Sequence, residues 1–113
     1  MPQPETVALK LAHILIPQRR SERNQLFTEG ARDLLAGLMT CLFVERGEMS
    51  LHDVRSTIQT KEGLRKALER HPQTRFLAEW YLSSDRSFEE IRSILTEELA
   101  RHDDIAGLSF RPK

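Results

Sequence analysis

The stretch from Phe27 to Gly47 leaves this chain the least freedom. Apolar residues stand at Phe27, Ala31, Leu34, Leu35, Leu38, Cys41 and Leu42. That three-and-four spacing forms one broad stripe on an α-helix and fits no strand. Within it, Leu34 to Val44 is a run of 11 residues without a charge. A helix that crosses a bilayer needs about 20 apolar residues, so the run predicts the centre of a soluble core. Gly47 supplies the left-handed residue that ends such a helix. Gly30 and Gly37, seven residues apart inside it, each cost about 1 kcal/mol relative to Ala. They are expected where a neighbouring element approaches closely.

The other segments repeat the helical period. Val7, Ala8, Leu11, Ile14 and Leu15 predict a first helix over about residues 4–16, which Pro17 stops. Gln18 to Asn24 contains no apolar residue and predicts an exposed, positively charged connection. Ser50 with Asp53 resembles a capping box before Leu51, Val54 and Ile58. Thr60 caps the next segment, with Leu64, Ala67 and Leu68, which Pro72 ends. A segment over about Thr74 to Leu82 carries Phe76, Leu77, Trp80 and Tyr81, and the size of Trp80 predicts that it is mostly core. Ser87 and Glu90 form an SxxE box ahead of Phe88, Ile91, Ile94, Leu95 and Leu99, which predicts a last helix to about Arg101. Leu108 to Phe110 could start a strand, but alone it would have no partner. The fold class is therefore all-α, a compact bundle of five or six helices in a single domain over residues 1–113.

Composition closes several routes to chemistry. With 17 basic and 17 acidic residues, the chain lacks the global charge of a polybasic protein, so any nucleic-acid contact must come from local patches. The single Cys41 excludes an internal disulfide, and its place in the uncharged run predicts a buried, inert thiol. None of Lys10, Lys61, Lys66 or Lys113 follows a Gly, so there is no phosphate-binding GxxxxGK loop. His13, His52, His71 and His102 lie in four segments without ligand spacing. His102, Asp103 and Asp104 follow a helix end, where solvation is the expected state. No catalytic, metal-binding or cofactor-binding residue is assigned, and the chain is not expected to be an enzyme.

Local charge is more informative. Residues 55–75 carry a net charge of +4 and residues 85–104 a net charge of −4. The candidate contacts are Arg55, Arg65, Lys66, Arg70 and Arg75, with Arg19, Arg20 and Arg23 as a second group. Arg supplies 13 of the 17 cations, which suits bidentate contact with phosphate or carboxylate. The alternative is a solvated face whose charges pair within the fold.

Two segments resemble a known family. AHILIPQRRSERNQLFTEGARDLLAGLM, from Ala12 to Met39, is similar to the start of the all-alpha domain of type IV secretion coupling proteins, in which a helix ends at an Ile-Pro-like turn (Ile16, Pro17). A polar loop, an aromatic residue (Phe27) and an Ala-Arg helix (Ala31, Arg32) follow. SFEEIRSILTEELARHDDIAGLSF, from Ser87 to Phe110, resembles the family's returning helix and the aspartate-containing turn that leads back to the ATPase sheet. The resemblance implies a domain inserted in a RecA-like ATPase, on the cytoplasmic side of a hexamer anchored at the bacterial inner membrane. ATP and magnesium would then belong to the parent protein. Since neither the phosphate loop nor the acidic magnesium motif is present, the sequence is expected to be an isolated and monomeric insert, with Leu108 to Phe110 a strand stub. The implied role is recognition of transfer DNA, of the relaxase complex or of secreted protein cargo during conjugation. The competing reading is a stand-alone helical module that docks proteins and has no DNA role.

Overall fold

Residues 3–16 and 25–111 are described by the computed structural model, with side chains from Thr28 onward in the second segment. Among them are six α-helices: α1 Pro4–Leu15, α2 Gln25–Arg46, α3 Leu51–Thr57, α4 Lys61–Glu69, α5 Pro72–Tyr81 and α6 Asp85–Ala100. A single 3-10 turn, Asp103–Ile105, follows. Pro17, the connection over 18–24 and the side chain of Phe27 lie outside the described residues.

The central position of α2 follows from its apolar stripe. It packs against α1, α3, α4, α5 and α6, and Leu34, Leu35, Leu38, Met39 and Cys41 are almost completely buried. Gly47 ends it at φ 76°, in the left-handed region where a Cβ would be strained. The two internal glycines are contact points for α5. A Cβ at Gly30 would lie 2.9 Å from Tyr81 Cε1, and one at Gly37 would collide with the Leu77 side chain. Their helix-propensity cost therefore secures close packing. Arg32, also buried, donates from Nε to the Ile16 carbonyl at 2.9 Å. It thereby satisfies one of the carbonyls exposed where α1 ends.

The helix starts are fixed by side-chain caps, with one correction. Ser50 and Asp53 form a reciprocal capping box at 3.0 and 3.3 Å, and Thr60 accepts from the Gly63 amide at 3.0 Å. The last helix, however, begins at Asp85, capped by Ser84, whose hydroxyl accepts from the Ser87 amide at 3.1 Å. The SxxE box at Ser87 is therefore inside the helix. Pro72 both follows the end of α4 and occupies the first position of α5, where its missing N–H costs nothing.

Two further expectations are overturned. Trp80 is 71% exposed. Thr74, Leu77, Ala78 and Leu82 hold the buried face of α5 and its end, and helical phase puts Phe76 and Trp80 on the opposite side. Periodicity outranks side-chain size here. The segment around Phe110 also has a partner: Phe110 and Met49 exchange both backbone hydrogen bonds, at 2.7 and 2.9 Å, in an isolated antiparallel bridge. Arg111 and Glu48 extend this contact by an ion pair at 3.0 Å. The C-terminal segment is thus tied to the short link between α2 and α3.

Candidate nucleic-acid interface

The basic segment occupies α3, α4 and the first turn of α5, and the fold divides its cations into two sets. Arg55, half-buried, donates to the Leu99 carbonyl at 2.6 Å and pairs with Asp103. It lines a cleft between α3 and α6, together with Arg92. Arg65, Lys66, Arg70 and Arg75 are exposed on α4 and at the start of α5. Arg65 also donates to the Leu82 carbonyl at 2.8 Å and Arg75 to the Glu69 carbonyl at 3.4 Å. Lys66 pairs with Glu62 at 3.3 Å, one turn away on the same helix, and Arg70 with Glu45 of α2 at 3.5 Å.

Side-chain exposure separates these ties by strength. Lys66 and Arg70 are 69% and 62% exposed, and ion pairs between solvated side chains contribute about 0–1 kcal/mol. A phosphate can therefore compete for both cations. Near Arg70, a shallow depression of about 260 Å³ also holds Arg46, Ser56 and Thr57. Arg46 is exposed and pairs with Asp53 at 3.2 Å. It lies outside the charge window of residues 55–75, and only the packing of α2 on α4 brings it near Arg70. Arg19, Arg20 and Arg23 lie outside the described residues.

The contrast between a basic and an acidic segment is reduced where the two meet. Lys61 and Asp85 pair at 2.7 Å, and Arg55 and Asp103 form a second link from the basic segment to the acidic one. The Lys61 ammonium, through its hydrogen bond and its charge, lowers the pKa of the Asp85 carboxyl. Pairing within the fold thus accounts for part of the segment's charge, and the exposed face of α4 remains its most accessible cationic surface.

Other candidate chemistry finds structural roles. Cys41 is buried against Thr74, with Sγ and Oγ1 at 3.3 Å, and burial raises its thiol pKa. That state suits an inert thiol rather than a nucleophile. No group of three potential metal ligands occurs among the described residues, and no described helix is long and apolar enough to cross a membrane.

Near the C-terminal end of α5, on the face that packs against α2, the Tyr81 hydroxyl donates to Asp33 Oδ2 at 3.0 Å. Desolvation, that hydrogen bond and the carboxylate charges of Asp33 and Glu29 push the Tyr81 pKa up to about 12. Because the folded value is raised, the neutral phenol contributes stability below the unfolded value of about 10, and this contribution is lost as pH rises through 12. Tyr81 is the sole tyrosine, so an absorbance titration near 295 nm reads it directly. The expected midpoint is about 12, and Asp33→Asn should return it toward 10.

The chain matches the family of type IV secretion-system coupling protein DNA-binding domains over residues 3–108, and it belongs to that family. No curated protein and no solved structure gives a significant match.

Proposed function

We propose that this member of the coupling-protein DNA-binding family is a substrate receptor that holds transfer DNA through its phosphates. The observation that carries the reading is the exposed cationic face of α4, where Lys66 and Arg70 are held only by weak surface ion pairs. Arg65 and Arg75 flank them, and Arg46 extends the surface toward α2. Arg19, Arg20 and Arg23 add charge from the connection before α2. Arg55, committed to Leu99 and Asp103, contributes mainly by joining α3 to α6. Phosphate contacts of this kind position a duplex without reading its bases. In the parent protein the domain would be an insert of a RecA-like, membrane-anchored hexameric ATPase. It would present DNA, with its relaxase complex, to the nucleotide-driven ring on the cytoplasmic side.

Such binding must be steep in salt, because each neutralised phosphate releases counterions. Five contacts on a duplex give a slope of log affinity against log salt of about −4.5. Fluorescence anisotropy on labelled single- and double-stranded DNA at several salt concentrations measures it. A flat response, or no binding at low salt, would remove DNA as the ligand of this surface.

A further inference from the structure

Among the described residues, the most exposed aromatic surface lies on α5, away from α4. A groove of about 340 Å³ runs between α1, α2 and α5. Leu9, Phe76 and Trp80 line it and are 46%, 48% and 71% exposed. Phe76 and Trp80 meet edge to face, with ring centroids 6.0 Å apart and planes at 88°, so each ring supports the orientation of the other. Large apolar side chains left in solvent at the edge of a concave site mark a place where something docks.

Charge identifies the occupant. Among the described residues, the charged side chains that line the groove are Glu5 and Asp33, with no Lys, Arg or His beside them. Both are carboxylates, which gives the groove a negative local charge. It disfavours phosphate, and so a nucleotide stacked on Trp80. It favours a cation, which the faces of Trp80 and Phe76 also attract through their quadrupoles. The volume is near the lower end of the range for ligand sites, about 300–1,000 Å³, and suits one or two anchoring side chains.

We propose that this groove is a docking site for a short amphipathic peptide segment of a protein partner, with a large apolar anchor beside Lys or Arg. The anchor enters between Leu9 and the aromatic pair, and the basic residue lies against Glu5 and Asp33. This is the groove mode of peptide recognition, with Trp as the energetic centre. It is independent of the DNA surface on α4, so the domain would hold nucleic acid and protein at the same time.

Trp80 is the sole tryptophan and therefore a built-in reporter. The probe is a synthetic 12-residue amidated peptide of Leu at helical spacing with Lys between, compared with the same peptide carrying Glu for Lys. Saturable blue-shifted Trp80 emission with the Lys peptide is expected, with at least tenfold weaker binding of the Glu peptide. Leu9→Glu and Glu5→Lys, both at exposed positions, should each weaken the Lys peptide at least tenfold and leave the anisotropy of DNA binding unchanged. Glu5→Lys alone serves if Leu9→Glu does not fold. Equal response to both peptides, or variants that bind like the parent, would overturn the proposal. So would saturable Trp80 quenching by dT12, which would make the groove a base-stacking surface. A concentration-dependent emission shift with dimers in sedimentation would instead assign it to a second copy of the chain.

Discussion

Leu38→Ala should lower the midpoint of thermal unfolding by roughly 15 °C, with no change in helical content at low temperature. Leu38 is fully buried on α2, which packs against each of the other five described helices. Removing its isobutyl group loses the transfer energy of the deleted carbons and leaves a cavity, and Leu→Ala changes at such sites cost about 3–5 kcal/mol. The walls come from elements already locked by their other contacts, so collapse recovers little. A domain of this size has about 5–15 kcal/mol in all, and 1 kcal/mol moves its midpoint by about 4 °C. Circular dichroism melts measure the shift. Leu108→Ala, at a 56% exposed position, is the control and should melt within a few degrees of the parent.

The second large effect is on binding. Lys66→Glu with Arg70→Glu should weaken duplex binding about a hundredfold at 0.1 M salt and reduce the salt slope by about 1.8, the share of two phosphate contacts. Folding should change by no more than about 2 kcal/mol, because each of the two surface pairs removed contributes about 0–1 kcal/mol. The partner Glu45 keeps His71, whose Nε2 lies 3.1 Å from Oε1. Anisotropy titrations at three salt concentrations supply both numbers. An unchanged slope would mean that the phosphates meet other cations. Arg55→Ala is expected to behave differently: it frees the Leu99 carbonyl and Asp103, so it should reduce stability more than affinity.

What was legible in the sequence was whatever depends on near neighbours. The stripe of α2, the reciprocal cap of Ser50 and Asp53 and the terminating Gly47 are local, and each is found where spacing puts it. The close approach at Gly30 and Gly37 was also readable, because two costly residues on one face of a helix need a tertiary reason. The family resemblance rested on the same local signals, and the match over residues 3–108 agrees with it. Contacts between distant segments leave no such signal, and two local features, the cap of α6 and the phase of α5, also differ from expectation. Met49 and Phe110 are joined by hydrogen bonds that no periodicity encodes. Ser84 and Ser87 both precede a plausible helix, and only Ser84 supplies the cap. In the basic segment, sequence gave the number of cations but not their partners. Arg55 and Lys61 proved to be tied to the acidic end, whereas Lys66 and Arg70 kept their exposure. Trp80 is exposed because its helical phase, not its area, decides which side of α5 it occupies.

The two glycines of α2 also decide what α5 displays. A helix of 10 residues is marginal alone, so α5 takes its orientation from the surface on which it lies. Tyr81 and Leu77 rest where Gly30 and Gly37 carry no methyl group, and those two absences index the helix like notches for a key. A slip of one residue would turn α5 by about 100°, withdrawing the indole from the groove and offering solvent a different edge of the helix. The aromatic face of α5 is in this sense written in α2, where bulk added at either glycine would redraw it.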